Sequence, residues 1–100
     1  MEHHVYFWLK EEHRNEQGRA RFEKGLLDLC RSSLIESAHW APPADTPERP
    51  VTDHSFDYGL SLKFASMADH HSYQEGDPVH DHFVATFKDW WAKVLVMDLA

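Results

Sequence analysis

From Phe56 to Phe64, large apolar residues (Phe56, Tyr58, Leu60, Leu62, Phe64) alternate with Asp57, Gly59, Ser61 and Lys63. A period of two is the pattern of a strand with one buried face, so this segment is predicted as a β-strand. His4 to Lys10 is dense in β-formers (Val5, Tyr6, Phe7, Trp8) and makes an earlier strand, apolar on both sides. Phe22, Leu26, Leu29 and Cys30 recur instead at helical spacing, behind a polar run in which Asn15 is a good cap. Gly18 and Gly25 lower the intrinsic propensity of that helix. Leu34 to Trp40 is a weaker strand. Ala41 to Ser55 carries four of the five prolines and reads as an extended connection. Ser66-Met67-Ala68-Asp69 has the form of a capping box and opens a short helix through Tyr73, which Glu75-Gly76 breaks. Asp77 then caps a second helical piece, with Pro78 at its first position, where a missing N–H costs nothing. On that piece His80, Phe83, Val84, Phe87 and Trp91 fall on one stripe. Lys93 to Leu99 closes the chain as a last strand.

The order β-α-β-β-α-β is a split βαβ arrangement, an α+β fold in which helices cover one face of a four-stranded antiparallel sheet. One domain over residues 1–100 is expected. The first and last strands are apolar on both faces, and one helical layer covers only one of them. A two-fold dimer whose sheets face each other would cover the other; long loops folding back over the sheet are the alternative.

Charge narrows the partners. The formal net charge is −7, with the acidic residues scattered and no basic stripe, which argues against nucleic acid. No window approaches the roughly 18 apolar residues of a membrane span, and the start Met1-Glu2-His3-His4 does not have the form of a signal peptide. A cytoplasmic protein is expected. The lone Cys30, set among helical leucines, reads as a small buried hydrophobe.

His80 is the candidate for chemistry. An imidazole at the positive end of a helix, facing a core, is biased toward the neutral form that a general base needs. The competing reading is a packing histidine that ties the helix start to the sheet. Phe22, Tyr6, Trp8, Phe87 and Trp91 are walls of a pocket in the first reading and plain core in the second. Nine histidines raise the question of a metal, but no HExxH, CxxC or carboxylate–histidine spacing is present. His3 and His4 point to opposite faces of a strand, and His80 and His82 lie about 200° apart on a helix. No metal and no other cofactor is expected. No Gly-x-Ser-x-Gly element exists to expose a nucleophilic serine.

Several segments together resemble the stress-responsive α/β-barrel domain family. They are His4-Val5-Tyr6-Phe7-Trp8-Leu9-Lys10, the connection Ala41 to Val51, Phe56-Asp57-Tyr58, Tyr73-x4-Pro78-Val79-His80-x2-Phe83 and Trp91-x-Lys93-Val94-x2-Met97-Asp98. The resemblance runs nearly end to end. It implies a ferredoxin-like, dimeric α+β barrel with a cavity in each subunit between sheet and helices. Most relatives have no assigned activity; a few plant relatives are polyketide cyclases that catalyse an intramolecular aldol condensation without cofactor, and related folds host monooxygenases. Carried over residue by residue, His80 matches the family acid/base and Tyr73 the assisting tyrosine. One extra residue separates the two here, which leaves the direction of Tyr73 open. His4 falls at a pocket histidine and Trp91 at a pocket aromatic near the end of the last helix, while Tyr58 and Leu60 look into the same space. Tyr6 is bulkier than the aliphatic residue expected there, a departure that narrows the room for a long substrate. The implied ligand is a small aromatic or polyketide-like molecule. Binding without chemistry, cofactor-free catalysis and a purely associative role all remain open at this point.

Overall fold

The computed structural model describes residues 1–100. The strands are β1 (Glu2–Leu9), β2 (Ser37–Ala41), β3 (Tyr58–Lys63) and β4 (Trp91–Leu99), and the helices α1 (Glu16–Leu29), α2 (Met67–Gln74) and α3 (Pro78–Phe87). The strands form one antiparallel sheet in the order β2-β3-β1-β4. This is the ferredoxin-like α+β architecture expected from the element order.

Each helix starts where a short polar side chain satisfies an orphan N–H. Asn15 accepts from Gly18 N at 2.7 Å, Ser66 from Asp69 N at 3.1 Å and Asp77 from Val79 N at 3.0 Å. The two glycines of α1 are explained by close approach. A Cβ on Gly18 would lie 2.2 Å from the backbone oxygen of His13, and one on Gly25 would lie 2.2 Å from the Phe87 ring. Gly25 therefore sets the separation of α1 and α3.

The core lies between the helices and one face of the sheet. Val5, Phe7 and Leu9 of β1, Tyr58, Leu60 and Leu62 of β3, and Phe22, Leu26, Leu29, Phe83 and Phe87 of the helices are all buried. Asp57, at the start of β3, ties two elements to it: it accepts from Leu9 N at 2.7 Å and from Arg14 and Arg19 at 3.3 and 3.0 Å.

Two expectations need correction. Trp91 does not continue the α3 stripe. The helix ends at Phe87, a tight turn over Lys88–Trp90 follows, and Trp91 is the first residue of β4, opposite Leu9. Helical spacing extended past the true end of the helix misassigned it. The covering of the sheet also divides differently from a one-face rule. On the outer face, the chain's own connection folds back: Phe56 packs against Tyr6 and Trp8, with ring centroids 5.1 and 6.4 Å apart, and Ser55 Oγ accepts from the Trp8 indole N–H at 3.0 Å. Edge strand β4 is left uncovered on both sides. Val94 and Val96 are exposed on the helix side, and Met97 and Leu99 on the other.

Candidate functional site

Strand alternation decides which residues of β1 reach the space under the helices. His3, Val5, Phe7 and Leu9 are buried there, whereas Glu2, His4, Tyr6 and Trp8 face the other way. His3 is therefore the histidine that β1 turns inward. His4 sits on the outer face, 3.4 Å from Glu2, and Tyr6 lies there too, over Gly59. Both faces of β1 are apolar, so composition does not fix the phase. The run of Val5, Phe7 and Leu9, in step with His3, was the signal available.

A cavity of about 330 Å³ opens between β1, β4, α2 and α3. Its polar lining is His3, His70, Tyr73, Gln74, His80 and Asp98, and its apolar lining includes Leu60, Phe83, Trp91, Val94 and Val96. Of the residues singled out from sequence, the fold brings His80, Tyr73, Leu60 and Trp91 together here. Phe22 and Tyr58 lie outside the lining. Phe22 is fully buried core, and Tyr58 donates its hydroxyl to Glu23 at 2.6 Å. Burial and that carboxylate push the Tyr58 hydroxyl up to about 12, so it stays neutral.

α3 holds His80 in its first turn, and the break at Glu75-Gly76 lets α2 turn Tyr73 toward it. The two rings meet at 4.5 Å between centroids. Tyr73 is buried, with its ring also against His3 and Phe64. Burial pushes its hydroxyl well above the ordinary tyrosine value, with the nearby Cys30 and Asp77 adding to the effect. Burial likewise holds the His80 imidazole below the ordinary histidine value, against the smaller opposing pull of Asp81 and Asp77. His80 is thus neutral at pH 7, with one ring nitrogen able to accept a proton. Its Nδ1 is buried and has no hydrogen-bond partner; the nearest carboxylate oxygen, on Asp81, is 3.8 Å away, too far to serve. The indole N–H of Trp91 is likewise buried and unpartnered. Buried polar atoms of a folded protein are nearly always satisfied; of the three residues that leave one unsatisfied, His80 and Trp91 both line this cavity, and His4 lies on the outer face of the sheet.

A larger groove of about 550 Å³ runs between α1 and α3, walled by Arg21, Lys24, Asp28 and His82. It contains no unpartnered buried polar atom, and the smaller cavity is the better candidate.

The family model for the stress responsive A/B barrel domain matches residues 1–100. The chain belongs to that family. Among solved structures, an Arabidopsis thaliana protein aligns with a TM-score of 0.80 at 21% identity, covering 99% of this chain and 92% of that one. A dimeric ferredoxin-like protein of unknown function from Thermobifida fusca aligns at 0.77 and 12% identity, covering 99% and 88%. The hydroxynitrile lyase of Passiflora edulis aligns at 0.76 and 17% identity, covering 96% and 87%. At these identities the likeness establishes the ferredoxin-like fold. No curated protein matches this chain in sequence. No helix of this stress responsive A/B barrel domain is long and apolar enough to cross a membrane.

Proposed function

We propose that this member of the stress responsive A/B barrel family is a cytoplasmic, single-domain homodimer that binds a small aromatic or polyketide-like molecule between its sheet and helices, in a stress-associated role. The observation that carries the ligand reading is that His80 and Trp91, each with a buried ring nitrogen that has no hydrogen-bond partner, line one cavity. A planar ligand would set its edge against the His80 and Trp91 side chains and its face on the apolar wall of Leu60, Phe83 and Val96. The dimer reading rests on β4. Its exposed valines form the open side of the cavity, so a second copy against this edge would cover apolar surface and complete the wall in one step. A similar fold in Thermobifida fusca is dimeric.

The Tyr73–His80 contact favours a second reading, acid/base catalysis. A neutral His80 would remove a proton next to a carbonyl, and the Tyr73 hydroxyl, held protonated by burial, would donate to the developing enolate. Such help contributes on the order of 10²–10⁴-fold. One similar fold is a hydroxynitrile lyase, so the architecture accommodates an enzyme.

The test is a thermal-shift screen of aromatic and β-polyketide compounds, followed by a comparison of wild type with His80→Ala for binding and for ligand consumption. Binding lost in the variant supports the pocket, and consumption lost with it supports catalysis. Binding that is unchanged in His80→Ala rejects the pocket, and consumption that is unchanged rejects the acid/base role.

A further inference from the structure

Spacing along single elements gives no metal motif, yet the fold gathers three donors from three separate elements at the cavity mouth. His3 comes from β1, His70 from α2 and Asp98 from β4, and one ligand atom from each lies within 4.8 Å of the other two. His3 Nδ1 is 2.5 Å from Asp98 Oδ1 and 3.3 Å from His70 Nε2. We propose that His3, His70 and Asp98 form a binding site for a first-row divalent transition ion of the zinc class.

One of the three donor separations already matches what such an ion requires, and the others fall within reach of side-chain rotation. Zn–N and Zn–O bonds are about 2.0–2.2 Å, so donors on a tetrahedral ion stand about 3.3 Å apart. The His3–His70 pair already has that separation. The His3–Asp98 pair is tighter because a proton now bridges it, and the partly exposed Asp98 carboxylate can draw back by rotation at the sheet edge. Metal entry would move that proton from Nδ1 through solvent to Nε2, leaving His3 a neutral imidazole bound through Nδ1. Gln74 stands 3.4 Å from His3 Nε2. Its amide donates to that nitrogen now, and turned over would accept from Nε2–H, the outer partner that a ligating histidine needs.

Two imidazoles and one carboxylate suit zinc, iron, cobalt or nickel ions better than magnesium or calcium, which prefer oxygen ligands. Three protein ligands leave a fourth position free, as in catalytic rather than structural zinc sites. That position would adjoin the cavity lined by Tyr73 and His80. The assignment stands on the three donors alone and does not depend on the ligand reading above.

The test uses the untagged, metal-stripped full chain, with Zn²⁺ in calorimetry and Co²⁺ in visible absorption. The expected result is one ion per chain, a Co²⁺ spectrum with tetrahedral or five-coordinate bands, and affinity weakened at least about tenfold by His70→Ala and by Asp98→Asn. His71→Ala, on the exposed neighbour of His70, should leave binding unchanged. Histidine side-chain NMR of the wild type, which needs no variant to fold, should show Zn²⁺ moving the His3 and His70 rings first. Absence of stoichiometric binding, equal affinity in Asp98→Asn, or first shifts at other histidines would overturn the proposal.

Discussion

The placement of His80 depends on a buried tie at the start of α3, and the tie can be measured. Asp77 is the N-cap: one carboxylate oxygen accepts from Val79 N at 3.0 Å, and the other accepts from the hydroxyl of Ser32, which follows α1. Both residues are buried, at 8% and 4% exposure. Asp77→Ala removes a cap, worth about 1 kcal/mol, and a hydrogen bond to a charged group, worth about 1.5–3 kcal/mol. The expected loss is about 2–4 kcal/mol, a large fraction of the 5–15 kcal/mol typical of a small domain. Asp77→Asn keeps the cap acceptor but weakens the Ser32 bond, and should cost about half as much. Ser32→Ala should cost about 1–2 kcal/mol, because the carboxylate keeps Val79 N. Urea denaturation of Asp77→Ala, Ser32→Ala and the corresponding double variant forms a cycle, with a coupling of at least about 1 kcal/mol expected between the two positions. Additive losses, or a loss below about 0.5 kcal/mol in Asp77→Ala, would show that this bond does not anchor the helix.

Gly25→Ala should destabilise despite its better helix propensity, because the new methyl meets the Phe87 ring at 2.2 Å. Overpacking of about 1–3 kcal/mol exceeds the gain of about 1 kcal/mol from propensity, and a thermal melt that rises instead would contradict the packing. Burial lowers the folded-state value of His80, so just below pH 6.5 the unfolded chain binds the extra proton. The stability contributed by neutral His80 is complete above about pH 6.5 and is lost as pH falls toward the folded value. Melting curves in chelator from pH 7.5 to 5 should therefore fall less steeply for His80→Gln than for wild type; parallel curves would contradict the shift. Val96→Asp, on the exposed inner side of β4, should convert dimer to monomer with its circular dichroism unchanged. A dimer that persists would exclude this edge from the interface.

Much of the fold was legible because local chemistry and global pattern agree. Asn15 and Asp77 cap helices where short polar side chains precede apolar stripes, Ser66 opens α2 as a capping box, and the alternation of Tyr58, Leu60 and Leu62 places β3 correctly. The site was only half legible. His80 stands out because a proline-started helix puts it in step with Phe83 and Phe87, but β1 is apolar on both faces, which hides that His3 rather than His4 points inward. Trp91 was assigned to the wrong element because spacing alone does not reveal the tight turn at Lys88–Trp90. The meeting of His3, His70 and Asp98 has no signature in local spacing, since it comes from β4 pairing with β1 and α2 crossing their ends.

Light scattering coupled to gel filtration at micromolar concentration tests most directly the claim that the cavity is an open half-site closed by a second copy along β4. The expected mass is twice that of the 11.7 kDa chain. A compact species of single-chain mass would contradict the account, because the valines of β4 would then face water and the cavity would have no outer wall.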